Sequence, residues 1–138
     1  MKIGIIGCGN ISATYFESQK LYNNINIIAC ADINLEVAKK SAEKYEIIAQ
    51  SVEELLQNTD VDLIVNLTIP AAHKEIILKT LRSNKHSFSE KPLAMKYKDG
   101  LEIKKLADEK NLRVGCAPDT FLGSAGQKAK DLIEKNTI

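Results

Sequence analysis

The chain has 138 residues, 44% of them hydrophobic and 27% charged, with 19 Lys and Arg against 18 Asp and Glu. That length provides one domain with a respectable core and leaves too little for a second of similar size. So balanced a charge gives no basic field to draw in nucleic acid or anionic lipid, and the two longest apolar runs, 25–31 and 63–72, are far too short to span a bilayer.

In chain order, apolar β-rich runs alternate with amphipathic stretches. Lys2 to Gly7 reads as a strand buried on both faces; it is too brief an apolar run for a signal peptide, so the expected address is cytoplasmic. Asn10 to Tyr22 reads as a helix and Ile25 to Ala31 as the second strand. Leu35 to Tyr45 is helical, with Leu35, Ala38, Ala42 and Tyr45 on one face. Glu46 to Ala49 is a short strand, and Ser51 with Glu54 forms a capping-box signature at the start of a helix. Val61 to Leu67 is the fourth strand. Ala71 to Asn84 is the next helix, with Pro70 at or near its first turn. His86 to Ser89 is the fifth strand and Arg113 to Ala117 the sixth. Between them, Lys96 to Lys110 is a helix whose lysines alternate with Asp and Glu at helical spacing, as a solvated face does. Gly123 to Lys135 reads as a last helix. Near-continuous apolar strands, each followed by a helix, imply an α/β fold with a parallel sheet covered on both faces. The three cysteines, Cys8, Cys30 and Cys116, show no metal-ligand spacing and read as small buried hydrophobes in a reducing compartment; no metal site is expected.

Four places along the chain carry chemistry. Gly7-Cys8-Gly9-Asn10-Ile11-Ser12 follows the first strand and opens the first helix in a G-x-G-x-x-S pattern. In such a turn the first glycine makes the bend, the second lets backbone N–H groups approach a pyrophosphate, and a small third residue allows close helix–strand packing. A plain turn with no ligand is the alternative for the motif alone. Asp32 ends the second strand, 25 positions after Gly7. A carboxylate there accepts hydrogen bonds from an adenosine ribose and repels a 2′-phosphate, which favours NAD over NADP; the alternative is a cap for the following helix. A loop and an acid of this kind also occur in methyltransferases that use S-adenosylmethionine. The segments after strands four and five, Leu67-Thr68-Ile69-Pro70-Ala71-Ala72-His73 and Ser89-Glu90-Lys91-Pro92-Leu93, lie at carboxyl ends of strands, where open α/β sheets bind ligands. Pro92 biases Lys91 to extended geometry, and partial burial beside a nicotinamide would lower the lysine's pKa and fit it for proton exchange. His73 could instead cap backbone or pack, and His86 reads as structural.

Gly4-Ile5-Ile6-Gly7-Cys8-Gly9-Asn10-Ile11-Ser12, then Ala31-Asp32, Thr68-Ile69-Pro70 with His73, and Glu90-Lys91-Pro92-Leu93, resemble in order and spacing the glucose–fructose oxidoreductase / inositol dehydrogenase / MocA family. The resemblance implies a Rossmann-type doubly wound sheet over residues 1–120, and residues 121–138 as the start of a connector helix toward a substrate domain. It implies Gly7, Gly9, Asn10, Ile11, Asp32, Thr68, Ile69, His73, Glu90 and Lys91 around NAD, with Lys91 as the catalytic residue. It also implies a sugar, inositol or polyol substrate and a homo-oligomeric parent, while the balanced charge and short apolar runs already lead to the expectation of no nucleic-acid or membrane partner. Ala117-Pro118-Asp119-Thr120-Phe121 resembles the crossing toward the substrate domain. Ile69 departs from the residue many members carry at that place, and the family's further catalytic Asp and His have no counterpart among these residues. A non-catalytic NAD-binding sensor of the same fold is the rival reading, and retention of Lys91 argues against it.

Overall fold

The computed structural model describes residues 1–117 and 123–137. Six parallel strands form one sheet: β1 (Lys2–Ile6), β2 (Asn26–Ala31), β3 (Ile48–Gln50), β4 (Leu63–Asn66), β5 (His86–Ser89) and β6 (Val114–Cys116). Their order across the sheet is β3-β2-β1-β4-β5-β6. The helices are α1 (Ser12–Ser18), α2 (Leu35–Tyr45), α3 (Val52–Gln57), α4 (His73–Arg82), α5 (Tyr97–Glu109) and α6 (Ser124–Glu134), with a single 3₁₀ turn at Pro70–Ala72. β1 pairs with β2 on one side and β4 on the other, so the strand order reverses beside it and a crevice opens at the carboxyl ends.

The apolar alternation within each strand divides the core. Ile3, Ile5, Ile27, Cys30 and Val65 pack with Phe16 of α1 and with Ala38 and Ala42 of α2. Ile6, Ala29, Ala31 and Ile64 pack in a second cluster with Leu55 and Leu56 of α3 and Ile76 of α4. A third cluster joins Ile77, Leu78 and Leu81 of α4 to Ile103 and Ala107 of α5. Phe16 and Tyr45 stack at 4.4 Å and tie α1 to α2. None of the described residues of α6 is buried. The expected crossing segment over residues 118–121 lies outside the described residues.

Several boundaries differ from the sequence expectation, each for a local reason. α1 spans seven residues rather than the stretch from Asn10 to Tyr22. It ends early because the Ser18 hydroxyl takes the Tyr15 carbonyl at 2.6 Å and the next amides close three-residue turns, Lys20 to Glu17 and Leu21 to Ser18. β3 begins at Ile48 rather than Glu46. Glu46 adopts a left-handed conformation (φ 55°) that closes α2, with its amide and that of Ile47 both donating to the Ala42 carbonyl. Asn84 and Asn111 reverse the chain with positive φ after α4 and α5. The Ser51–Glu54 capping box forms in both directions, at 3.2 and 2.8 Å. The lysines of α5 pair at the surface, Lys104 with Asp108 and Lys105 with Glu109, where such pairs contribute little.

Among the described residues, Lys85 is the one charged residue with a buried side chain. Its ammonium donates to the Asn58 carbonyl at 2.6 Å and the Val61 carbonyl at 2.8 Å, pinning the turn between α3 and β4, and burial pushes its pKa down. Lys85→Met should destabilise the fold by about 1–3 kcal/mol, the cost of stranding buried carbonyls, measured as a lower urea midpoint at unchanged slope.

Candidate functional site

The site is built where β1, β2, β4 and β5 end on the same edge of the sheet. At the end of β1, Gly7 adopts φ +101°, a conformation that L side chains avoid, and donates its amide to the Ala31 carbonyl at 2.8 Å. A Cβ on Gly7 would lie 2.7 Å from the carbonyl carbon and oxygen of Leu67, so the turn touches the backbone leaving β4. Gly9 is the opposite case. It is exposed and a Cβ there would meet nothing within 4 Å. The amides of Gly9, Asn10 and Ile11 donate to no protein group among the described residues, and Asn10 and Ile11 are exposed. The result is an open cradle of N–H donors leading into α1, which is what a pyrophosphate requires. Ser12 fills the third motif position as a buried residue, its hydroxyl donating to the Gly9 carbonyl at 2.7 Å.

Asp32 is half-buried beside this cradle. Its Oδ2 accepts the Cys8 amide at 2.8 Å and its Oδ1 the Asn34 amide at 2.9 Å. The helix cap is Asn34, whose side chain accepts the Glu36 amide, so the capping alternative for Asp32 does not hold. A carboxylate has about four acceptor positions, and the two left over suit a pair of ribose hydroxyls. Behind the cradle the Cys8 thiol donates to the Ala31 carbonyl at 3.5 Å and the Cys30 thiol to the Ala38 carbonyl at 3.4 Å. The neighbouring Cys8 thiol, and then burial, push Cys30 upward. Both are buried as expected of small apolar residues, whereas Cys116 is only half-buried.

After β4, Asn66 is fully buried and organises the loop. Its Oδ1 accepts the Thr68 amide at 3.1 Å and the Thr68 hydroxyl at 2.7 Å, and its Nδ2 donates toward the His73 carbonyl at 3.4 Å. Thr68 and Ile69 reach the ligand edge, and Ile69 is 70% exposed. His73 does not. Its ring is fully buried, with Nδ1 2.6 Å from the Pro92 carbonyl and Nε2 2.9 Å from the Thr68 carbonyl. Both nitrogens face backbone carbonyls, so His73 stands behind the loops it joins instead of on the surface a cofactor would touch.

After β5, the Glu90 amide donates to the Asn66 carbonyl at 2.9 Å, which sets the two loops side by side. The Glu90 carboxylate accepts the Tyr15 hydroxyl at 2.6 Å on Oε1 and the Lys91 amide at 3.1 Å on Oε2. Burial, and then the Glu90 carboxylate, push the Tyr15 hydroxyl upward, so it remains a donor. Lys91 precedes a cis bond to Pro92 and is exposed. The partial burial expected for its ammonium is not provided by the described residues. Among the described residues no group of three or more His, Cys, Asp or Glu could hold a metal ion, and no helix is long and apolar enough to cross a membrane.

Tyr15 and Asn66 went unremarked as site residues in the sequence. Asn66 leaves a trace there, a polar residue inside an apolar strand, whereas nothing in the spacing of Tyr15 points to a partner 75 residues away.

A family model described as the oxidoreductase family, NAD-binding Rossmann fold (GFO_IDH_MocA), matches residues 1–117. The chain belongs to this family. Among its relatives, a myo-inositol 2-dehydrogenase of Thermotoga maritima is 28% identical over 101 residues, covering 72% of this chain and 30% of the relative. An inositol 2-dehydrogenase/D-chiro-inositol 3-dehydrogenase of Lactiplantibacillus plantarum is 30% identical over 106 residues, covering 74% and 30%. The crystal structure of an NAD-binding protein from Listeria innocua superposes with a TM-score of 0.92 at 26% identity, over 99% of this chain and 41% of that one. The chain therefore spans under half the length of these relatives and corresponds to their NAD-binding domain. Membership in an oxidoreductase family with this cradle excludes the methyltransferase reading.

The two glycines separate fold from binding. Gly9→Val should leave the melting temperature within about 2 °C, since its side chain enters open space, and weaken NADH binding at least about a hundredfold, the outcome expected if the pyrophosphate takes that space. Gly7→Ala should lower both stability and binding, since the backbone strain and the Leu67 contact are present with or without ligand. Thermal melts and calorimetric titration of both variants check this.

Proposed function

We propose that this chain is the dinucleotide-binding part of a longer oxidoreductase that transfers a hydride between NAD and a hydroxyl-bearing carbon of a sugar, inositol or related polyol. The observation that carries the reading is the meeting of an open N–H cradle at Gly9–Ile11 with an exposed Lys91 on the same edge of the sheet. Gly7, Gly9, Asn10 and Ile11 would hold the pyrophosphate, Asp32 the adenosine ribose, and Thr68, Ile69 and the Glu90–Lys91 segment would line the path toward the nicotinamide. Bound NAD supplies the hydride acceptor. Lys91 takes the proton from the substrate hydroxyl on its Nζ as the carbonyl forms, and returns it in the reverse direction. Desolvation of that ammonium, and the contacts that orient the substrate, come from the rest of the protein and from the substrate itself. The three unpaired thiols fit a cytoplasmic setting.

NAD is preferred over NADP in this reading because the Asp32 carboxylate would face a 2′-phosphate, and Ile33 and Asn34 bring no positive charge to offset it. Calorimetry should show NADH binding at least about tenfold more tightly than NADPH, and Asp32→Ala should narrow that gap. Equal affinities in the unaltered chain would remove the assignment. In the full-length protein, assayed with NAD against a panel of inositols and sugars, Lys91→Ala should slow turnover by about 10² or more with cofactor affinity little changed. Unchanged turnover would clear Lys91 of the role. Tight NAD binding with no turnover of any panel member by the unaltered protein would favour the sensor reading.

A further inference from the structure

The Glu90–Lys91–Pro92 segment is gripped by two side chains from distant parts of the sequence. From α1, whose amino end is the glycine turn, Tyr15 reaches over to Glu90 Oε1 at 2.6 Å, while Oε2 of the same carboxylate takes the Lys91 amide at 3.1 Å. From the first residue of α4, the His73 ring bridges the Pro92 carbonyl at 2.6 Å and the Thr68 carbonyl at 2.9 Å. One strap thus ties the segment to the cradle and the other ties it to the β4 loop. Both act on backbone or on a carboxylate that itself bonds backbone, so they fix where the Lys91 Cα sits.

We propose that Tyr15 and His73 are positioning residues for Lys91, holding its backbone in a working placement before any ligand arrives. The inference rests on the proton-transfer role proposed for Lys91. A lysine side chain has four rotatable torsions, so the accuracy with which its ammonium meets a hydroxyl depends on how firmly its backbone is anchored, and small misplacements are costly in a near-attack geometry. Neither strap touches the reacting atoms. The Tyr15 phenol is half-buried and stays protonated, since burial and the neighbouring carboxylate both oppose its ionisation. The His73 ring is sealed from solvent, so water reaches neither of its nitrogens.

The test is amide exchange measured by NMR on this chain, with NADH affinity alongside. Tyr15→Phe removes one oxygen and keeps the ring. It should speed exchange of the Lys91 amide at least about tenfold, leave Ile5 and Ile64 in the sheet unchanged, and leave NADH affinity within about threefold. His73→Leu should loosen the Lys91 amide in the same way, and His73→Gln, which keeps a donor, should recover part of the protection; if His73→Leu does not fold, Tyr15→Phe and His73→Gln carry the comparison. Unchanged Lys91 exchange in a folded Tyr15→Phe chain overturns the proposal. So does faster exchange spread evenly through the sheet, which would make the residues merely structural. Lys91→Met separates this inference from the one beneath it: the straps remain, so exchange at position 91 should stay within about threefold. Turnover that survives Lys91→Met in the full-length protein would remove the catalytic role and leave the straps as geometry without a reaction to serve.

Discussion

The ligand edge depends on how the chain leaves β1. At Gly7 the backbone turns with a positive φ, donates to the end of β2 and passes against the carbonyl leaving β4. A side chain at that point would push the two exits apart. Because it is absent, the cradle, the Asp32 carboxylate and the Asn66-centred loop converge within one crevice, at the place where the strand order reverses. The rest of the site builds outward from that contact: Asn66 holds Thr68 and receives Glu90, and Glu90 in turn holds Lys91.

Both acidic groups of the site are engaged with the protein's own donors. Asp32 accepts two amides and Glu90 accepts a phenol and an amide. These bonds order the loops without a ligand, so binding is spared the conformational entropy of arranging them. They also assign the carboxylates different tasks. Asp32 retains acceptor positions toward open space, whereas Glu90 is directed into the structure that carries Lys91.

Much of this was legible in the sequence, but unevenly. Apolar runs alternating with amphipathic ones were enough to expect a parallel sheet covered on both faces, since only doubly buried strands read as continuous hydrophobes. The glycine turn and Asp32 were legible because their chemistry is local in spacing: a bend, then one strand and one helix later an acid. Strand order was not legible from periodicity, because alternation says which face a side chain takes and nothing about which strand lies beside which. The straps were hidden for the same reason. Tyr15 and Glu90 meet only after the sheet has brought α1 next to the end of β5, and His73 looks like a ligand-facing residue until its two ring nitrogens are seen against carbonyls. The early end of α1 was hidden too, because one serine hydroxyl competing for a carbonyl leaves no periodic mark.

The sheet ends on each side in a strand of three residues, Ile48–Gln50 at one border and Val114–Cys116 at the other. A border strand is where unpaired amides and carbonyls stand in a row, and a long one invites a foreign strand to continue the ladder. Here each row is barely one repeat of the hydrogen-bond pattern, too short to template such an addition. Among the described residues, neither border of the sheet offers a foreign strand a ladder of useful length.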